Sequence, residues 1–138
     1  MAILRADYTI ERLNRMGQEY LPGFLGLEML TIAQGSLESR MPVKQLHFAP
    51  NAFLHAASIV ALADTTCGYA TFAHLPDGAE SFTTIELKSN HLATVREGSI
   101  ACTATAQHLL EDGDAQVGKV TVTATIRREA IHASAPEG

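Results

Sequence analysis

Residues 54–75 read LHAASIVALADTTCGYATFAHL, a run of apolar and small side chains holding a single acidic residue, Asp64. The run is long enough for several helical turns and too apolar for a helix lying on a surface, so a buried helix is expected. The other elements must then be able to cover it. A lone carboxylate in such a helix loses hydration with no Lys or Arg close in sequence, which raises its pKa unless hydrogen bonds compensate. Placements of this kind favour a carboxylate that does chemistry. The plainer alternatives are an Asp facing a solvent channel or capping Thr65 or Thr66.

The flanking sequence supplies one more helix and several strands. In residues 9–20, Ile10, Leu13, Met16 and Tyr20 recur at three- and four-residue spacing behind Thr9, a good N-cap, and Pro22-Gly23 is expected to end that helix. Residues 24–34 and 36–42 read as two strands meeting at Gly35, with Leu37, Ser39 and Met41 alternating against Glu38 and Arg40. Residues 43–53 look irregular, with a turn at Pro50-Asn51, and Pro76-Asp77-Gly78 closes the apolar helix. Residues 81–92, 98–110 and 117–128 are rich in Thr, Val, Ile and other strand formers, the last two separated by the polar turn Glu111-Asp112-Gly113-Asp114. The simplest solution is α+β, an antiparallel sheet wrapped around one long apolar helix. One domain over 1–138 is expected, with an N-terminal helix within 1–20 and a flexible tail at 129–138.

Composition narrows the function. The chain is 46% hydrophobic and only 18% charged, apolar enough that part of its surface is expected to meet another copy. A net charge of −5 with no basic face argues against nucleic acid. Cys67 and Cys102 have neither metal spacing nor a disulfide-rich context and read as small core residues. The N-terminus has no signal-peptide pattern, and the polar residues inside 54–75 argue against a membrane span, so a cytoplasmic protein is expected. His91, His108 and His132 are scattered and do not suggest a metal site, and no glycine loop suits a phosphate.

His55 opens the apolar helix and Asp64 lies nine residues further on. At ~100° and ~1.5 Å per residue the two point to opposite sides, about 13 Å apart along the axis. They can converge only across a two-fold axis, where the helix start of one copy faces the mid-helix carboxylate of the other. A helix start offers unpaired N–H groups and partial positive charge, which suit an oxyanion. An activated carboxylate opposite such donors is an arrangement for acyl transfer. His55 alone reads equally well as an ordinary helix-start residue.

These residues resemble a family. His55-Ala56-Ala57 followed by Ala61-Leu62-Ala63-Asp64-Thr65 is similar to the HGG…ALAD(T/S) motif of hotdog-fold acyl-CoA thioesterases of the PaaI-like, phenylacetate-pathway type. Thr84-Ile85-Glu86-Leu87-Lys88-Ser89-Asn90-His91-Leu92 resembles their T-x-E-L-x-x-N-(F/H/Y)-L strand, Gly98 stands where their next strand begins, and Leu21-Pro22…Leu25-Gly26-Leu27 with Gly35 resembles their first hairpin. The likeness covers roughly residues 21–128, and its strength lies in the ordered set rather than in any one piece.

The resemblance implies a hotdog fold with sites at the interface of a homodimer, commonly within a homotetramer, and an acyl-CoA substrate without a separate cofactor. It implies that Asp64 acts as general base or nucleophile and that the Ala56 N–H polarises the thioester carbonyl. It further implies that His55 orients that loop or touches the carbonyl, and that Thr84 positions the attacking water. Two departures stand out. Ala56-Ala57 replaces a glycine pair, placing two methyls where a thioester approaches the backbone. The family's Asn six residues before the His is Ala49 here. Residues 47–51 (HFAPN) also resemble the opening of the HFPGxP motif of hydroxyacyl dehydratases, whose Glu some fourteen residues later is Ala61 here. Ahead of the dehydratase stands a non-catalytic hotdog protein that binds an acyl-CoA or another metabolite without turning it over. Binding CoA phosphates would need surface cations such as Lys88, Arg96 and Arg127, though each reads more simply as a solvated surface residue, and Phe53, Leu54, Ile59 and Leu62 suggest an apolar acyl or aryl group.

Overall fold

In the computed structural model, residues 3–109 and 120–129 are described. Helix α1 (Ile10–Met16) starts as its sequence requires, with the Thr9 side chain accepting from the Arg12 N–H at 3.2 Å. Helix α2 (Leu21–Leu25) is a correction. Pro22 does not merely end the first helix but sits in the first turn of a second, where its missing N–H costs nothing. Gly26, at φ 76°, then turns the chain into strand β1 (Glu28–Ala33), four residues later than the sequence pattern suggests.

Strand β2 (Ser36–Pro42) returns through Gly35, whose φ of 73° suits the hairpin turn. Its Leu37, Ser39 and Met41 are buried in strict alternation, as the sequence predicts. A 3-10 turn (Gln45–His47) leads toward helix α3 (Ala56–Ala73), and strands β3 (Ser99–Leu109) and β4 (Val120–Glu129) complete an antiparallel sheet in the order β1-β2-β3-β4. The expected turn at 111–114 and most of the tail, 130–138, lie outside the described residues; Glu129 belongs to β4.

The sheet covers α3 on one side only. Ser58, Leu62, Thr66 and Ala70, spaced four apart, form with Ala73 the buried stripe against the sheet. Met41, Leu54, Leu62, Val95, Ile100 and Cys102 make one core cluster, while Leu13, Met29, Leu37, Ala70 and Ala104 make a second beneath α1. A hydroxyl pair crosses the interface: Thr66 Oγ1 donates to the Leu62 carbonyl at 2.7 Å, leaving the Ser39 hydroxyl to donate to Thr66 at 2.6 Å. At the far end the buried His74 accepts the Gly35 N–H on Nε2 (2.9 Å) and donates from Nδ1 to the Ala70 carbonyl (2.7 Å), tying the hairpin tip to the end of α3.

Residues 81–92 are not a strand. Phe82 fastens the start of this segment to α3, its ring 4.9 Å edge-on from Phe72 and close over Gly68, where a Cβ would meet Phe82 Cζ at 3.1 Å. Val95 fastens its end in the core. Between those anchors the chain makes no backbone–backbone hydrogen bond among the described residues, and Ile85 and Leu92 are 88% and 94% exposed. The composition favours a strand, but a strand exists only where a neighbour supplies the ladder.

Candidate active site

The start of α3 is built from the loop before it. His47 is fully buried and both ring nitrogens are engaged: Nδ1 accepts the Lys44 N–H at 2.8 Å, which places the proton on Nε2, and Nε2 donates to the Leu25 carbonyl at 2.6 Å. The His47 carbonyl in turn receives the His55 N–H and the Ser58 hydroxyl, both at 2.9 Å. One residue thus joins α2, the 3-10 turn and the first turn of α3. With both nitrogens committed and the ring enclosed, His47 cannot serve as the exposed proton-abstracting base that the dehydratase reading requires. Its structural part was not legible beforehand; the signal was a histidine beside Phe48 in an otherwise apolar stretch.

His55 is the N-cap of α3, and its Nδ1 accepts the Ala57 N–H at 2.9 Å. Nδ1 therefore carries no proton, and the Nε2–H points away from the cap as a donor. The Ala56 N–H, in the first helical position, has no partner among the described residues. Of the two N–H groups at the alanine pair, one is spent inside the chain and one is open to an incoming oxygen. Ala56 and Ala57 are both exposed, so that donor is reachable.

Asp64 corrects the sequence reading. It is exposed, not buried, because it lies on the side of α3 opposite the stripe that faces the sheet. Val60, Ala61 and Gly68 share that outer side and are only partly covered. Asp64 makes no hydrogen bond or ion pair among the described residues. Thr84 is exposed as well, within the unladdered segment. The single chain brings together His55 and Ala56 and leaves Asp64 and Thr84 apart from them, with no hydrogen bond linking the sets.

The nearby thiols are inert. Cys67 is partly covered, and burial pushes its thiol up to about 12, with Cys102 and the Asp64 carboxylate adding to the rise. Burial raises the thiol of Cys102 too. A cavity of about 260 Å³ lies between α1, α2 and β1, lined by Leu13, Gly17, Pro22, Leu27, Met29 and Tyr69. Tyr69 and Asp64 are five residues apart, about 140° around the helix, so this cavity does not open in front of the carboxylate. Among the described residues no His, Cys, Asp and Glu side chains gather as metal ligands, and no helix is long and apolar enough to cross a membrane.

An antiparallel sheet laid on one long helix is the hotdog architecture. Comparison places the chain in a family: residues 51–110 match the thioesterase superfamily model. A protein of Pasteurella multocida named as an esterase is 32% identical over 107 residues, spanning 78% of this chain and 76% of that one. The 1,4-dihydroxy-2-naphthoyl-CoA hydrolase of Escherichia coli is 30% identical over 78% of each chain. Among solved structures, a Haemophilus influenzae thioesterase superimposes with a TM-score of 0.81 at 27% identity, covering 92% of this chain and 84% of that one. The chain belongs to the thioesterase superfamily.

Proposed function

We propose that the protein hydrolyses the thioester of an acyl-CoA carrying a small apolar acyl or aryl group. The observation that carries this reading is the division of labour at the start of α3. The His55 imidazole occupies the Ala57 N–H, while the Ala56 N–H stays open at the positive end of a helix that also carries an exposed carboxylate. In this reading the thioester carbonyl accepts from the Ala56 N–H and His55 holds the turn that presents it. Asp64 deprotonates the attacking water, or adds to the carbonyl itself to give an anhydride that water then cleaves, and Thr84 positions the water; either route releases the free acid and restores the Asp64 carboxylate. The thiolate of CoA leaves and takes a proton. The name of the Escherichia coli relative supports an aryl-CoA substrate.

His55 and Asp64 face opposite sides of α3, so we assign the working site to a homodimer or homotetramer in which Asp64 of one copy faces Ala56 of another. The partly covered outer side of α3 and the unpaired segment around Thr84 support a second copy at that surface. The test is release of free thiol from a panel of acyl-CoA esters by wild type and Asp64→Asn. The amide matches the carboxylate in shape but accepts no proton, so turnover should fall by about 10²–10⁴ with the fold intact. Wild-type turnover in Asp64→Asn would refute the assignment. Heterodimers of Asp64→Ala subunits with subunits disabled at Ala56 should regain part of the activity.

A further inference from the structure

Arg96 lies with its guanidinium carbon 5.0 Å from the centroid of the Phe53 ring. Both side chains are accessible, Phe53 being 42% exposed. Four other arginines are taken up internally, Arg12 and Arg5 by Asp7, Arg40 by Glu28 and Arg127 by the Thr103 hydroxyl; Arg15 and Arg128 carry no side-chain partner among the described residues, but neither rests on a ring as Arg96 does. Arg96 has no carboxylate within ion-pair distance among the described residues, although Glu97 is its neighbour in sequence. A guanidinium held against a ring is fixed in plane while its N–H edge stays free, a geometry suited to two oxygens of one phosphate.

The pair is also well placed. Phe53 is held by its N–H on Asn51 Oδ1 (3.1 Å) and by its carbonyl, which accepts the Ala49 N–H (2.8 Å). Arg96 is braced between the buried Val95 and Gly98, whose carbonyl accepts the Val43 N–H. Phe53 precedes Ala56 by three residues, at most about 10 Å of chain. The net charge of −5 gives the molecule no general attraction for a polyanionic substrate, so a local, unneutralised cation carries more weight.

We propose that the Arg96–Phe53 pair is a phosphate-binding subsite that holds the nucleotide end of CoA; this rests on the acyl-CoA reading above. The experiment compares wild type, Arg96→Ala, Arg96→Lys and Phe53→Leu on benzoyl-CoA and on the N-acetylcysteamine thioester of benzoate, which lacks the nucleotide. Arg96→Ala should raise KM for the CoA ester about tenfold at unchanged kcat, the scale of one charge-assisted contact. It should leave the cysteamine ester unaffected. Arg96→Lys and Phe53→Leu should fall between, since one loses the fork and the other its support. Titration calorimetry with 3′,5′-ADP reads the same subsite without turnover, and Arg96→Ala should weaken that binding by a similar factor. Equal effects on both esters, or undiminished 3′,5′-ADP binding by Arg96→Ala, would overturn the subsite. Failure of wild type to cleave any CoA ester while 3′,5′-ADP binding still depends on Arg96 would defeat the acyl-CoA hydrolysis reading and leave the subsite standing.

Discussion

In the proposed site two alanines stand where the thioester comes close to the backbone, and only one of their N–H groups is free to meet it. Ala56→Gly removes a methyl beside the open donor and keeps the donor. It should maintain or raise kcat/KM while lowering stability by up to ~1 kcal/mol, since glycine loses more backbone freedom on folding. Thiol release and a melting curve on the same preparation check both halves; a loss of activity would mean that the methyl shapes the ligand pose. Cys67 offers a second test at this scale. A thiol raised to about 12 in the fold stays protonated well above the range in which an unfolded cysteine ionises. The stabilisation linked to it is complete below the unfolded pKa, near 8.5, and is lost as pH climbs toward 12. Native protein should therefore resist iodoacetamide at pH 8, whereas urea-unfolded protein should react at once. Asp64 shows where residue-level reading falls short. Its identity and spacing were legible, but its exposure was not, because which side of an apolar helix the sheet covers is decided by strands distant in sequence.

At the scale of the element, α3 depends on the loop that delivers it. His47→Leu keeps the volume roughly similar but takes the hydrogen-bond partner from the Lys44 N–H and from the half-buried Leu25 carbonyl. Each such group costs about 1–3 kcal/mol. The variant should lose about 2 kcal/mol in urea unfolding, since water reaches the Lys44 side, and its remaining folded fraction should show a lowered kcat, because the ring holds in place the loop whose backbone carbonyl anchors His55 and Ser58. The hairpin at Gly35, the Thr9 cap and the buried alternation of β2 were all readable, since each is set by a few adjacent residues. Helix α2 was missed because proline is a stop signal in most positions and a start signal in one. The segment at 81–92 has the composition of a strand, but composition reports what a residue prefers and says nothing of whether a partner strand is present.

At the scale of the whole molecule, the proposed site makes one chain an incomplete enzyme. It presents an open N–H at the start of α3 and a carboxylate on the far side of the same helix, and large apolar side chains such as Phe24, Ile85 and Leu92 stay exposed on it. Light scattering at micromolar concentration should give a dimer or tetramer, and kcat per chain should fall on dilution through the dissociation range. A monomer that retains full specific activity would contradict the shared site.

Lys88 sits in the middle of that unladdered segment, exposed and flanked by side chains that water reaches. Proteases need an extended stretch of free backbone to cut, and paired strands deny it to them. Trypsin therefore becomes a clock for assembly: cleavage after Lys88 should be rapid at nanomolar protein, where copies are apart, and slow at high concentration. The time course of two fragments on a gel would then report when two copies have found each other.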